Sequence, residues 1–305
     1  MTSQQTIKYW QDRYAQGTTE AVAGWVSRQI HIPRFNAHQL EAIDRMKASA
    51  PTNSHASEAE ELLLTGLEQD NDFIIEHLLK FAPNPHGKPL RIIDFGSGGG
   101  ELLHKIAARI DGQIDAIGID IAEDAINRLN QSAAQTKTTT GIVGGIDALQ
   151  ALADTKELRG TFDAIVSRET IYNLSDTEKA QLFECAKSLC KTDGVVLITG
   201  CVAQAGSPSE LILAADARDR QMSTGDIMTF TNFTDDDPVQ RLVGGFDRLW
   251  HEHDHAAVRA CYSLTQLVYP PTDQPAAGTE NYTGIAQADP ATSSRYAAIY
   301  RAIAT

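Results

Sequence analysis

The chain has 305 residues, of which 42% are hydrophobic and 22% are charged, so it is long enough to bury a large core. Its 26 Lys and Arg residues against 40 Asp and Glu residues give a formal net charge of -14 at pH 7, and a surface of that sign repels the phosphates of nucleic acids. The sequence has no apolar run long enough to cross a membrane and no basic, apolar leader. We therefore expect a soluble, cytoplasmic protein that binds neither nucleic acid nor membrane.

Residues 1–56 are predicted to form a helical lid or leader ahead of the main domain. The stretch KYWQDRYAQG carries Tyr9, Trp10 and Tyr14, whose spacing suits either packing on a sheet or contact with a ligand. A helix is predicted to begin at residue 57, after a linker, and a second helix follows before PNPHGKP. The N-terminal segment could instead be a dimer arm, so a homodimer is an open alternative.

Residues 57–202 are predicted to form the main domain, because short apolar runs alternate there with amphipathic segments. The predicted strands are LRIIDFG, IDAIGID, TGIVGGI, FDAIVSR and GVVLITG. Strands that are apolar on both faces and joined by helices indicate a doubly wound, mostly parallel sheet of the α/β class.

After the fifth strand this alternation ends, and residues 203–265 are predicted to form a helical cap on the substrate side of the sheet. The two helices expected there are SELILAADARDRQ and DPVQRLVGGFDRLWHEHDHAAVRACY. Residues 266–305 are expected to complete the sheet, with a last strand in SSRYAAIYRAI.

The cysteines and histidines give no complete metal-binding pattern. The four cysteines contain no CxxC pair, so we expect reduced, structural thiols. His251, His253 and His255 alternate in WHEHDH, but on a helix only His251 and His255 share a face, and no third ligand is evident. We assign no metal, and whether these histidines line a pocket, bind a metal or face solvent stays open.

A glycine-rich turn follows the first strand, where Asp94 precedes Gly96, Gly98 and Gly100. In an open α/β sheet, ligands bind beyond the carboxyl ends of the strands, and this turn lies there. Glu101 stands where a dinucleotide fingerprint needs a small residue, which disfavours NAD and FAD, and no GK[ST] motif follows. The next two strands each end near an aspartate, namely Asp120 and Asp147.

This series of residues resembles the class I, Rossmann-like S-adenosylmethionine-dependent methyltransferases of the small-molecule type, over about residues 70–200. The resemblance implies S-adenosylmethionine as cofactor, with Asp94 near its ammonium group, Asp120 on the ribose hydroxyls and Asp147 beside the adenine. The aromatic residues of the N-terminal helix would form a wall against the sulfonium. The full set of implied cofactor-binding residues is Asp94, Gly96, Ser97, Gly98, Gly100, Asp120, Ile121, Ile146, Asp147, Ala148, Arg168, Tyr9, Trp10 and Tyr14.

The exit of the fourth strand carries the candidate catalytic residues Glu169 and Tyr172. Glu169 could take a proton from the methyl acceptor or hold a cationic acceptor, and Tyr172 could line the path of the methyl group. The Asn-Pro-Pro-Tyr and Pro-Cys motifs of nucleic-acid methylases and the Glu-His pair of the ubiquinone type are absent. We therefore predict methyl transfer to a small soluble metabolite at an O, N, S or C centre.

Two alternatives to methyl transfer remain open from the sequence. Aminopropyl transfer on the same fold would use the decarboxylated cofactor and an acidic pocket, for which Glu169 and Asp176 give a weak hint. A non-catalytic subunit that binds S-adenosylmethionine for regulation would keep the cofactor site and lack turnover.

Overall fold

The computed structural model describes residues 10–11, 33–49, 53–83, 88–110, 113–133, 138–203, 210–214, 227–231, 238–268 and 293–303. The helices in these ranges are α1 (Ala37–Ala48), α2 (Asn53–Phe81), α3 (Glu101–Arg109), α4 (Glu123–Ala133), α5 (Ile146–Asp154), α6 (Asp176–Leu189), α7 (Pro238–Leu242) and α8 (His255–Val268). The strands are β1 (Leu90–Phe95), β2 (Ile114–Asp120), β3 (Thr139–Val143), β4 (Phe162–Arg168), β5 (Cys190–Ala203), β6 (Glu210–Ala214), β7 (Ile227–Thr231), β8 (Phe246–Asp254) and β9 (Ser293–Ala302).

A seven-stranded sheet in the order β3-β2-β1-β4-β5-β9-β8 forms the centre of the fold. Strands β1 to β5 pair in parallel, whereas β9 is antiparallel to both β5 and β8. The predicted doubly wound, mostly parallel sheet is therefore confirmed, as is the last strand expected in SSRYAAIYRAI. The strand order reverses between β1 and β4, which places a crevice at their carboxyl ends.

Helices cover both faces of the sheet and enclose two apolar cores. On one face, α2 and α3 bury side chains such as Ile74, Leu78 and Leu102 against β1. On the other face, α5 and α6 bury Leu149 and Phe183. Because apolar side chains alternate to both faces of β1 and β4, these strands can be covered from either side.

The helix predicted to begin at residue 57 in fact begins at Asn53, and it continues to Phe81 without the break expected between two helices. Helix α2 thus crosses the boundary placed between residues 56 and 57. None of the helices in the described ranges is both long and apolar enough to span a membrane.

The helix predicted to run through WHEHDH is wrong for residues 246–254, which form the edge strand β8. Gly244 and Gly245, with φ of 66° and 69°, separate this strand from the short helix α7. Their left-handed backbone does not continue a helix, and β8 then pairs with β9 from Phe246 to Asp254, with one irregularity between Arg248 and Trp250. The two ends of the predicted helix are helical, PVQRL in α7 and HAAVRACY in α8.

The first helix expected in the cap is also wrong over its described part. Residues Glu210–Ala214 form β6, which pairs antiparallel with β7 in a separate two-stranded sheet. The rest of that predicted helix, residues 209 and 215–221, lies outside the described residues.

Candidate active site

A cavity of about 950 Å³ lies at the carboxyl ends of β1, β2 and β4, with α2 along one side. The sequence-predicted site residues that line it are Trp10, Asp94, Gly96, Ser97, Gly98, Asp120, Ile121, Arg168 and Glu169. The structure therefore gathers most of the predicted cofactor site and one of the two candidate catalytic residues around one space.

The turn after β1 brings backbone close to this cavity because its glycines have no side chains. Gly96 has a φ of 82°, and a Cβ there would lie 1.9 Å from Oγ1 of Thr170. Gly100, with a φ of 83°, has a different reason to be glycine, because its Cβ would lie 2.3 Å from Cδ1 of Leu129 in α4. Gly100 does not line the cavity, so it serves the packing of α3 on α4.

Asp94, at the end of β1, is a buried acid with only 2% of its surface exposed. Burial raises the pKa of Asp94 to about 7, with the guanidinium of Arg168 opposing the rise and the carboxylate of Asp120 adding to it. A cationic ligand group in the cavity would stabilise the ionised carboxylate of Asp94. That carboxylate could then pair with an ammonium group.

Asp120, at the end of β2, is fixed by two backbone amides. Its Oδ2 accepts from the amide of Gly98 and its Oδ1 from the amide of Ala122, each at 2.8 Å. Burial raises the pKa of Asp120, and these amide hydrogen bonds oppose the rise. Because each carboxylate oxygen has a second lone pair, Asp120 can still accept hydrogen bonds from a diol.

The residues after β3 lie only in part at the cavity. Gly144 and Gly145 line the cavity, but Ile146, Asp147 and Ala148 do not. Asp147 is exposed, and its Oδ1 accepts from the amide of Gly145 at 3.0 Å, so its described contact is local. Ile146 and Ala148 pack against the core on the α5 side.

The N-terminal aromatics and Tyr172 are described only in part. Trp10 is 9% exposed and lines the cavity. Tyr9 and Tyr14 lie outside the described residues, and the backbone of Tyr172 lies in a single 3-10 turn, Ile171–Asn173, while its side chain is outside the described part.

Glu169, directly after β4, has the most unusual backbone of the site. Its φ of 51° makes it the one non-glycine residue with a positive φ in the described part of the chain. Its amide donates to both the carbonyl and the hydroxyl oxygen of Thr199, at 3.2 Å each, which holds this conformation. A strained, buried backbone position of this kind persists where the surrounding structure enforces it and is frequent in active sites.

The side chain of Glu169 is 5% exposed and only half satisfied. The hydroxyl of Thr199 donates to Oε1 at 3.0 Å, whereas the buried Oε2 has no hydrogen-bond partner in the described residues. Burial raises the pKa of Glu169 to about 8, opposed by Arg295 and, more weakly, by the Thr199 hydrogen bond and Arg168, while Asp70 adds to the rise. At neutral pH both protonation states are therefore accessible, as proton transfer requires.

Sequence reasoning missed the side of the site that α2 provides. Asn71 in α2 accepts a hydrogen bond from Nη1 of Arg168, and Leu64 and Leu67 of the same helix line the cavity. The polar residues Asp70 and Asn71 are fully or almost fully buried, and their occurrence inside an otherwise amphipathic helix was the available signal.

The three histidines of WHEHDH lie away from this cavity and are exposed. His251 and His253 share a face of β8, with ring centroids 5.9 Å apart, and Nδ1 of His253 lies 3.1 Å from Oγ of Ser294. Within the described ranges, no group of three His, Cys, Asp or Glu side chains is placed to hold a metal ion.

Comparisons with known proteins agree with this geometry. Residues 86–240, just over half of the chain, match the model of a methyltransferase domain. Comparison of the sequence with the curated proteins finds no match.

Several solved structures share the fold at low sequence identity. Geranyl diphosphate C-methyltransferase from Streptomyces coelicolor A3(2) superposes with a TM-score of 0.63 at 12% identity, over 97% of this chain and 96% of that chain. Phosphoethanolamine N-methyltransferase 2 from Haemonchus contortus gives a TM-score of 0.50 at 15% identity, over 78% of this chain and 53% of that chain. The [4+2]-cyclase SpnF gives 0.54 at 14% identity, over 79% and 83%.

These neighbours name different reactions, so their likeness establishes the fold and not the reaction. The family is established by the domain match, which covers the glycine turn, Asp120 and Glu169. The chain belongs to the methyltransferase-domain family and is an S-adenosylmethionine-dependent methyltransferase with the class I fold.

Proposed function

We propose that the methyl acceptor is a small soluble molecule, and that it binds at the carboxyl end of β4 with its reactive atom beside Glu169. The observation that carries this proposal is the buried and conformationally strained Glu169 at the cavity wall, whose raised pKa of about 8 suits it to accept a proton near neutral pH. Glu169 is then the general base for an acceptor that loses a proton, or the counter-charge for a cationic acceptor.

The residues present fit S-adenosylmethionine. Asp94 and Arg168 end the neighbouring strands β1 and β4 and both line the cavity, so together they offer opposite charges to the amino and carboxylate groups of its methionine end. The backbone of the turn at Gly96 and Gly98 leaves space for the ligand, and Asp120 is within the same wall to accept from the ribose. When bound there, S-adenosylmethionine supplies an electrophilic methyl group.

The chain's own residues then orient the acceptor and move its proton. Transfer forms a bond from the acceptor atom to the methyl carbon and leaves the electron pair of the broken bond on sulfur, so the protein needs to align three atoms and keep water out. Glu169 takes the acceptor proton where there is one. Trp10 and the side chains of Leu64 and Leu67 in α2 supply apolar parts of the cavity wall.

The small size of the acceptor is supported by the cavity volume of about 950 Å³, which has to hold the cofactor as well. Two of the neighbours are named for small-molecule substrates, geranyl diphosphate and phosphoethanolamine. The net charge of -14 favours an acceptor other than nucleic acid. The buried thiols of Cys185 and Cys190 form no disulfide in the described part of the chain and suit a reducing compartment, which supports a cytoplasmic location.

The proposal is tested first by calorimetric titration of the full chain with S-adenosylmethionine, S-adenosylhomocysteine and NAD. Heat from the first two and none from NAD is expected. Production of S-adenosylhomocysteine is then followed with a panel of small amines, alcohols, thiols and activated carbon acids.

Glu169→Gln is expected to lower kcat for the accepted substrate far more than it lowers cofactor affinity, because it removes the base and keeps the shape. Glu157→Gln, which changes an exposed carboxylate outside the cavity, is the matched control and should leave both unchanged. Loss of cofactor affinity without loss of kcat in Glu169→Gln would contradict the placement of the acceptor.

A further inference from the structure

A buried ion pair near the cavity joins α2, the helix before the first strand, to β9, the last strand along the chain. Nη2 of Arg295 in β9 donates to Oδ1 of Asp70 in α2, and both residues have no exposed surface. The pair is incompletely satisfied, because Oδ2 of Asp70 and Nε and Nη1 of Arg295 have no hydrogen-bond partner in the described residues. Buried charges with free hydrogen-bonding capacity are costly, so this arrangement calls for a functional reason.

The sheet register places this pair beside Glu169. Arg168, the last residue of β4, pairs with Thr199 of β5, and Arg295 of β9 pairs with Cys201, two residues further along β5. Because side chains two residues apart project from the same face of a strand, Arg295 and Thr199 lie on one face of the sheet. The hydroxyl of Thr199 donates to Oε1 of Glu169, so Glu169, directly after β4, and Arg295 in β9 lie on the two sides of β5.

Arg295 is held in place from several sides. Its Nη1 lies 3.8 Å from Oε1 of Glu252 in β8, and its guanidinium carbon lies 5.6 Å from the ring centre of Phe73 in α2. Glu252 is itself bound by Nη1 of Arg34 at 2.5 Å. The guanidinium therefore has a fixed position, which allows it to act on Glu169 through space without contacting the ligand.

We infer that Arg295, clamped between Asp70 and Glu252, is a positioning residue that sets the charge of Glu169 at the acceptor side of the cavity. The positive guanidinium favours the carboxylate form of Glu169, and Asp70 limits that effect so that the proton can still be held. The effect of Arg295 on catalysis rests on the methyl transfer proposed above, whereas its effect on the charge of Glu169 does not depend on that proposal.

Charged or hydrogen-bonding groups face Glu169 from each element packed around it. Arg168 at the end of β4 and Arg295 in β9 both lower the pKa of Glu169, as does the hydroxyl of Thr199 in β5. Asp70 in α2 and burial itself raise it. Arg295 is the largest of the influences that favour the carboxylate, so its removal should have the clearest effect.

The test is a pH titration of the Glu169 carboxyl in the full chain, followed by its protonated-carboxyl infrared band, which is identified by its loss in Glu169→Gln. In Arg295→Gln the midpoint should move to higher pH, and in Asp70→Asn it should move to lower pH. These two substitutions break the same ion pair, so a purely structural role would move both midpoints in the same direction or not at all. Either of those results would overturn the inference.

Two further variants guard against loss of the fold. Arg295→Lys keeps the charge and should keep the midpoint near that of the wild type, which Arg295→Gln should not. Lys191→Gln breaks the ion pair of Lys191 with the buried Asp163 at the opposite end of β5 and should leave the midpoint unchanged. If Arg295→Gln does not fold, Asp70→Asn still tests the inference. A midpoint of the Glu169 titration in Asp70→Asn that moves to higher pH or stays in place would overturn it.

The titration separates this inference from the proposed function. If no acceptor is methylated, the proposed function fails, but the opposite shifts in the two variants can still be observed. If methylation is found, the acidic limb of kcat/KM against pH should follow the same shifts, upward in Arg295→Gln and downward in Asp70→Asn.

Discussion

The carboxylate of Asp120 accepts the backbone amide of Gly98 at 2.8 Å, and this bond ties the end of β2 to the glycine turn after β1. The same side chain is therefore both a support for the turn and a wall of the cavity. A substitution at Asp120 should affect the cofactor through both roles.

We expect Asp120→Ala to weaken S-adenosylhomocysteine binding by about 1.5 to 3 kcal/mol, the usual worth of hydrogen bonds to a charged group. Asp120→Asn keeps one acceptor oxygen and should lose less affinity for S-adenosylhomocysteine than Asp120→Ala. Calorimetry measures both, and Asp147→Ala is the comparison: because Asp147 is exposed and does not line the cavity, its loss should change affinity by only about 0.5 kcal/mol or less. A larger loss of affinity in Asp147→Ala than in Asp120→Ala would contradict this prediction and would support Asp147 as the adenine contact.

The turn itself can be tested at Gly96. We expect Gly96→Ala to lower the free energy of unfolding by about 1 to 3 kcal/mol, because a Cβ at a φ of 82° is strained and would meet Oγ1 of Thr170 at 1.9 Å. Gly99→Ala is the matched control in the same turn, since a Cβ there has no atom within 4 Å. Urea unfolding of the two variants should separate them, and equal stabilities would contradict the close approach.

The central sheet was predictable because its middle strands β1 and β4 are buried and mostly apolar on both faces, which is a local signal. Strand β8 was not, because an edge strand with half-exposed residues such as Trp250, following the pair Gly244 and Gly245, resembles an interrupted helix in its pattern. Its status as a strand comes from pairing with β9, which is distant in sequence.

The site follows the same division between local and distant signals. Asp94, Asp120 and Glu169 lie at strand ends and were predictable from the chain order of the strands. The partnership of Asp70 and Arg295 was not, because the two residues are 225 positions apart and no local pattern in either segment indicates the other as its partner. Asp147 was placed by analogy with other methyltransferases, and the hydrogen bond that its carboxylate accepts from the amide of Gly145 is local.

The raised pKa values predict how stability depends on pH. The carboxyl of Glu169 titrates near pH 8 in the folded chain but near its ordinary value of 4.5 in the unfolded chain. Between these values the folded chain keeps a proton that the unfolded chain has released, so the free energy of unfolding should fall as pH rises from about 5 to 8. Asp94, whose pKa burial raises from 3.8 to about 7, should also lower the free energy of unfolding as pH rises between these two values.

Glu169→Gln should flatten this decline and should be more stable than the wild type at pH 9, by up to about 4 kcal/mol for a carboxyl so deeply buried. Urea unfolding at a series of pH values measures the slope, with Glu157→Gln as an exposed control that keeps it. Parallel curves for Glu169→Gln and the wild type would mean that Glu169 titrates normally in the fold.

The opposite charges of Asp94 and Arg168 predict which end of the cofactor each strand end recognises. Arg168→Met should weaken S-adenosylhomocysteine binding by roughly 10- to 100-fold, because it removes the cation that would meet the ligand carboxylate. Binding of methylthioadenosine, which has no amino-acid end, should be unchanged. Arg159→Met, which removes an exposed guanidinium whose Nε donates to the carbonyl of Ala153, should leave both affinities as they are. An equal loss for the two ligands in Arg168→Met would show that Arg168 acts through its hydrogen bond to Asn71 and the packing of α2, and not through the cofactor.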